Sequence, residues 1–492
     1  MRFRSEANKK NRLWEALPAA GISVLFTCVV AYLSLTNHNL FRTYALDLGV
    51  FNHALYQISH FHQPVFSLGL DGKVVPFLSD HFSPLVYVLA WPFPWFGSSW
   101  LLWVQILLVP IFCFYAWRLA VREGISPLLS WMVPALGMVG WMVYAAFGFD
   151  FHMNVLAAML VIPMWYCFKF KRWFLGLIFW LVILLSKENM ALWLTFITSA
   201  LLIFEKTSFS KRQTRWLYVL SILSLIYFVV VVMMVMPALH PDSRNVQLAK
   251  YVGSEGGLMG VAKYCLQDPV RAFKLFVMTE EGRLSEDKLA FLEMILLSGG
   301  LLFFFSPRVL WMAMPLLAQK VLSVNPGFWG IEAQYSIEFM PLIVLASIDA
   351  FRTHKLAIQF VGLSTGMLVS AFACISVYMP ESNRADIFSS SFTRSAMDIE
   401  ALEAELANVP GGLSLCTNAC LGPRLCERDL IYHFPFTDAA DALVLMKKDY
   451  STYPLNSDEY KNFLDGMQNS SEWSKVFDGK EILIYQRKGI TP

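Results

Sequence analysis

The stretch SPLVYVLAWPFPWF, residues 83–96, decides how this chain is threaded. It is apolar, yet Pro84, Pro92 and Pro94 would break a spanning helix. Its aromatics Trp91, Phe93, Trp95 and Phe96 suit the membrane–water interface, where amphipathic rings settle. Loop charge chooses between the two readings, because Lys and Arg in short loops favour the cytoplasmic side. If 83–96 stays at the interface, Arg118/Arg122, Lys169/Lys171/Arg172, Lys206/Lys211/Arg212/Arg215, Arg308 and Arg352/Lys355 all share a side with the basic N-terminus. If it spans, every one of them changes side. We therefore read 83–96 as interfacial.

Composition supports a membrane setting. Hydrophobic residues make up 56% of the chain and charged ones 15%, with a mean hydropathy of +0.50, which excludes an ordinary soluble globule. Crossing ~30 Å of hydrocarbon takes ~20 apolar residues. Such runs predict about eleven spans, at 18–36, 99–121, 127–147, 153–170, 173–187, 189–204, 215–238, 289–306, 309–325, 337–351 and 356–379. The fold class expected is an all-α polytopic membrane protein with the N-terminus inside and the C-terminus outside. Residues 1–17 form a basic cytoplasmic tail, and 18–379 the membrane domain with a first outer loop at 37–98. The apolar run 18–35 is too long for a signal-peptide core and lacks a small-x-small cleavage site, so it reads as an uncleaved span.

After residue 379 the apolar runs stop, and 380–492 carries 11 Lys/Arg against 17 Asp/Glu. This part reads as a small extracytoplasmic α/β domain. A helix is expected at 398–408, short buried strands at 413–416 and 442–446, and a hairpin over 476–485 around an Asp-Gly turn. Cys28, Cys113, Cys167 and Cys374 fall in spans as small apolar residues. Cys265 lies in an outer loop. Cys416, Cys420 and Cys426 lie in the outer domain, where a disulfide among the three is open and a zinc site poorly matched by spacing. Basic patches with interleaved aromatics are absent, so no nucleic-acid partner is expected.

The polar groups converge on the outer face. The first loop contains Asp47, His53, His60, His62, Asp71, Asp80 and His81. The spacing of Val50, Phe51, Ala54, Leu55 and Ile58 predicts an amphipathic helix opened by Asp47, which could serve as an N-cap, as a general base of raised pKa, or as both. Asp80 and His81 end the loop and suit binding of a phosphate or, with Asp47, a divalent metal. Asp150 and His152 are two apart, on opposite faces if extended, and so do not grip one ion alone. Lys187 and Glu188 sit between two apolar runs, where charge is costly and marks function unless the two simply pair. Lys187 suits an anionic head group. Glu332, Tyr335 and Glu338 complete the outer set, with spacing that also fits one side of a water-facing helix. The inner face offers Lys/Arg clusters and scattered end-cap carboxylates. No P-loop, GxGxxG, GxSxG or HExxH pattern is present.

DLGVFNHALY (47–56), HFSP (81–84), FDFH (149–152), SKEN (186–189) and QYSIEFMPLIVLAS (334–347) occur in this order, followed by VPGGLSLCTNACLGPRLCERDLIYHFP (409–435). Together they resemble a bacterial multi-pass membrane family of unknown function grouped with the GT-C glycosyltransferases. Asn189 departs from the acid expected there. The resemblance implies an enzyme of the bacterial cytoplasmic membrane that takes a polyprenyl-phosphate-linked sugar as donor on the outer face, with membrane lipids as neighbours. It implies no certain cofactor. Asp47 matches the acid of the first outer loop, His81 the site rim, and Lys187 is the choice for the donor phosphate. Sugar transfer to an extracytoplasmic acceptor is then the expected activity. A transporter or lipid flippase would instead place ionisable groups near the midplane in matched, broken halves. A non-catalytic assembly protein would use the outer domain to bind a partner.

Overall fold

The computed structural model describes residues 2–240, 242 and 245–490, with side chains from residue 16 onward; the side chains of most of the basic tail lie outside the described residues. The chain is mostly helical, with a small sheet domain at its end. Among the described residues, four helices are long and apolar enough to cross a membrane: Ala16–Asn39, Phe93–Glu123, Lys211–Leu239 and Leu356–Glu381. The pair Met132–Met138 and Trp141–Phe149, bent by 54°, makes a fifth if taken as one broken span. Eleven spans were expected, and the structure corrects that number.

Helix length explains the difference. Met153–Lys169, Trp173–Ser186 and Glu188–Phe204 are apolar but only 17, 14 and 17 residues long. At 1.5 Å per residue they rise about 21–25 Å, short of the ~30 Å core. Pro307–Val321 and Phe339–Phe351 are shorter or similar, and 289–306 divides into Glu286–Leu297 and a 3₁₀ stretch Gly300–Phe305. Several of these are core helices. Every side chain from Met153 to Phe168 is buried, so that helix meets protein on all sides, and hydropathy alone does not separate protein from lipid. The interfacial stretch breaks into short turns, Val86–Leu89 and Phe93–Phe96, with Trp91 and Trp95 about three-quarters exposed. Its last turn joins the following long helix, so that helix begins at Phe93 rather than at 99.

One end of the helix layer is tied by charge. Glu123 and Lys169 close helices, Glu205 follows one, Arg308 opens one, and Asp349 and Arg352 end another. Lys169 pairs with Glu123 and, at 2.7 Å, with Glu205. Arg308 pairs with Glu205 and, at 2.7 Å, with Asp349. Arg352 closes the ring on Glu123 at 2.8 Å and Asp349 at 3.5 Å. Three cations and three carboxylates thus neutralise one another where the sequence had suggested Lys/Arg clusters and scattered end-cap carboxylates.

The first loop forms a two-stranded ribbon, β1 (Val65–Phe66) and β2 (Val75–Pro76), beside helix Val50–Ser59. The terminal domain carries β3 (Leu415–Thr417), β4 (Ile431–His433), β5 (Ala442–Met446), β6 (Trp473–Asp478) and β7 (Ile482–Arg487), in the order β4-β3-β5-β7-β6. β3 runs parallel to β4 and β5, while β7 is antiparallel to β5 and β6. All five residues of β5 are buried, as a strand covered on both faces must be. Asp398 caps helix Ile399–Leu406 by accepting the Ala401 N–H at 3.1 Å. The Asp478-Gly479 turn closes the β6–β7 hairpin, and Asn456 with Glu459 forms a capping box on Ser457–Met467. Cys416, Cys420 and Cys426 are buried free thiols, so no disulfide joins them.

Candidate functional site

The local backbone of the first loop sets the site. Tyr44 is extended, and Ala45–Gly49 then forms a π turn leading into helix Val50–Ser59. Asp47 therefore lies inside the turn rather than at the helix start, and no side chain caps that helix. The capping role expected for Asp47 is absent because the extra turn residue moves its carboxylate off the N-terminal amides.

The terminal domain holds this turn. The Ala45 N–H donates to the Ala419 carbonyl at 2.8 Å. A Cβ on Gly422 would lie 2.7 Å from that of Ala45, so only glycine permits the approach. Gln57 donates to the Asp429 carbonyl at 2.9 Å, Ser67 to the Ile431 carbonyl at 2.7 Å, and His53 Nε2 faces the Arg428 and Asp429 carbonyls at 3.2 Å. His53 therefore serves docking. His60, His62 and Asp71 lie outside the cavity; His62 is 3.4 Å from Asp429 at the surface.

A cavity of about 460 Å³ opens beside Asp47 and brings together Asp80, His81, His152, Lys187 and Tyr335. Asp47 Oδ1 is 3.7 Å from His152 Nε2. His81 Nδ1 is 3.2 Å from Glu188 Oε1, and its Nε2 is 3.9 Å from Asp80 Oδ2. The other Glu188 oxygen accepts the Phe82 N–H at 3.0 Å. Among the described residues the Lys187 ammonium has no ion pair or hydrogen bond; only its backbone carbonyl is engaged, by the Met190 N–H at 3.1 Å. It does not pair with Glu188, so its ammonium is left to meet whatever enters the cavity.

Asp150 turns away from this chamber. Its Oδ2 accepts the Tyr44 N–H at 2.9 Å, and its carbonyl accepts from Gln105 at 3.0 Å. Glu188 and Glu338 line a narrower neck of about 60 Å³, where Glu338 accepts from Asn154 at 3.0 Å. Glu332 is exposed and outside both. Gln247 and Lys250 are site residues that no motif announced: Gln247 donates to Asp80 at 2.9 Å and accepts from Lys250 at 2.7 Å. They come from an irregular loop of scattered polar residues. Among the described residues no three His, Cys, Asp or Glu side chains are grouped to hold a metal ion; Asp47, Asp80 and His81 do not form the triplet considered from sequence.

Electrostatics separates the two aspartates. Burial raises Asp47 to about 6, against the pull of Arg384 and Lys187. Burial also holds Asp150 well above the usual carboxylate range, opposed by Arg384 and reinforced by Asp47. His152 is driven well below its ordinary value by burial, and further by Lys187, His81 and Arg384 nearby. At neutral pH the chamber thus holds an ionised Asp47 beside a neutral His152 imidazole. Such an arrangement can accept a proton at Asp47 and receive an anion at Lys187.

The neck continues into a groove of about 350 Å³ lined by Leu192, Phe196, Phe228, Val232, Met314 and Leu322. Gln247 borders chamber, neck and groove alike. No curated protein matches the sequence. The family model described as "Predicted membrane protein (DUF2079)" matches residues 37–473, which takes in the first loop, the helical layer and most of the terminal domain, and the chain belongs to that family.

Proposed function

We propose that this protein is a GT-C-type glycosyltransferase that moves a sugar from a polyprenyl-phosphate donor to an acceptor outside the cytoplasmic membrane. The reading places the N-terminus inside, with the chamber and domain 380–492 outside. The observation that carries it is the junction of a polar chamber, holding an unpaired Lys187, with an apolar groove between helices. A lipid-phosphate sugar has those two characters in one molecule. Its chain fits the groove and its head group the chamber.

Asp47 takes the proton from an acceptor hydroxyl as that oxygen attacks the anomeric carbon. The carbon–oxygen bond to the donor phosphate breaks, and the electron pair leaves with polyprenyl phosphate. Lys187 and Lys250 offset the phosphate charge. Neutral His152, 3.7 Å from Asp47, helps to orient the carboxylate. Direct inversion at the anomeric carbon follows from a single displacement.

The test compares lipid-linked and surface glycans in cells with the native chain and with Asp47→Asn at equal membrane abundance. Loss of one sugar, with its polyprenyl-phosphate donor accumulating, is the expected result. Unchanged glycans and donor pools would overturn the assignment.

A further inference from the structure

A second polar cleft, of about 730 Å³, lies behind the wall of the chamber. Arg42, Arg384 and Arg394 line it with Ser389 and Ser391, against one carboxylate, Asp386. Arg42 is anchored: its Nη1 donates to the Phe392 carbonyl at 2.7 Å and its Nη2 to the Arg394 carbonyl at 2.6 Å, which fixes the 392–394 rim. Asp386 is engaged by the Ser389 N–H at 3.1 Å. The Arg394 guanidinium is exposed at that rim. Arg384 lies over the rings of Tyr44 and Phe149, 4.2 and 4.6 Å from their centroids, and donates to the Phe149 carbonyl at 3.1 Å. Phe149 also lines the chamber, and Tyr44 lines the cleft. Two cavities therefore flank one wall, next to the Asp47 turn.

We infer that this Arg- and Ser-lined cleft binds an anionic, hydroxyl-rich glycan, and that the acceptor of the transfer is of this class. The second half of the inference rests on the transferase reading; the binding site itself does not. Guanidinium forks match carboxylate and phosphate oxygens, and serine hydroxyls donate to or accept from sugar hydroxyls. A neutral or wholly apolar acceptor would leave the three arginines of the cleft with Asp386 as the one carboxylate lining it. The groove side and the cleft side differ in character, as separate donor and acceptor sites would.

The experiment is calorimetric titration of the full chain in phosphatidylcholine nanodiscs with tri-galacturonate and, as the neutral control, maltotriose. The acidic sugar is expected to bind, to weaken with added salt, and to bind at least about tenfold more tightly than maltotriose. Arg394→Glu, at the exposed rim, and Arg384→Gln should each weaken it by about tenfold or more. Asp47→Asn should leave binding unchanged, which separates this site from catalysis. Equal binding of the two sugars, or indifference to both arginine variants, overturns the inference. Displacement of the acidic sugar by phosphatidylglycerol in the disc also overturns it, because the cleft would then be a lipid head-group site. Binding without any transfer activity would leave the site standing and remove only its assignment to an acceptor.

Discussion

The two ends of the helix layer carry similar numbers of ionisable groups and use them in opposite ways. At one end, Glu123, Lys169, Glu205, Arg308, Asp349 and Arg352 close into a ring of alternating charge. At the other, Asp47, Asp80, His81, His152 and Lys187 surround open space. The same helices supply both ends: Met153–Lys169 follows His152 and finishes at Lys169, and Glu188–Phe204 runs from Lys187 to Glu205. A closed, neutral ring has no charge left for a ligand and can only hold helices together. An open set with an unpaired ammonium and a raised carboxyl stays costly until something binds. Unbalanced charge, rather than charge density, marks the candidate functional end.

Substitutions should separate the two ends by what they damage. The largest effect is expected from Asp47→Asn, which should cut transfer by about 10²–10⁴-fold, the usual range for loss of a general base. Its melting temperature in detergent should stay near that of the native protein. A variant that transfers normally would leave the chamber without its base. Next comes Arg308→Ala, which opens the closed ring and leaves Glu205 with Lys169 alone and Asp349 with Arg352 and Ser306. Breaking such a buried pair costs about 3–5 kcal/mol, so the yield of folded protein and its melting temperature should both drop. The surviving folded fraction should transfer at the native rate; a lowered rate would mean that the ring also shapes the chamber.

A smaller effect concerns pH. The base proposed at Asp47 works only when ionised, and burial raises that carboxyl to about 6. The transfer rate should be constant above that value and fall by about tenfold per pH unit below it. A pH profile flat down to about 4 would contradict a base of raised pKa. Smallest of all is Asp150→Asn. The amide oxygen can still accept the Tyr44 N–H, so transfer should change by no more than about threefold. The stability sign is fixed by the raised folded-state value. A carboxyl that folding keeps protonated stabilises the protein least once pH exceeds its unfolded value of ~4. Asp150→Asn removes that dependence, so the variant should gain melting temperature relative to the native chain at pH 8 more than at pH 5.

Much of the site could be read before the fold. Asp47, Asp80, His81, His152, Lys187 and Tyr335 fall on loops or helix ends next to apolar runs, and the chamber gathers them all. Each stands out because an ionisable side chain beside the bilayer is expensive. Gln247, Lys250 and Arg384 gave no such signal. They lie in irregular segments, where nothing in the local pattern reports which way a side chain turns. Asp150 was as conspicuous as His152, yet the extended backbone between them sends one to Tyr44 and the other to the chamber. His53 looked like part of the site and belongs to the docking surface, because its partners are carbonyls about 375 residues away.

By itself the sequence determined a membrane protein, since apolar runs without enough polar surface leave no soluble alternative. It also anticipated a helix at 398–408, two short strands and the Asp-Gly hairpin of the terminal domain, where an apolar run or a turn acts within a few residues, but not β4 or helix Ser457–Met467. Only the tertiary structure decided which apolar helices are long enough to cross and which are core, because lipid and protein interiors select the same side chains. It alone paired the charges at the closed end and set the Asp47 turn against Ala419 and Gly422. Nearly all of those contacts join residues tens to hundreds of positions apart, and no local pattern of hydropathy or charge encodes such a pairing.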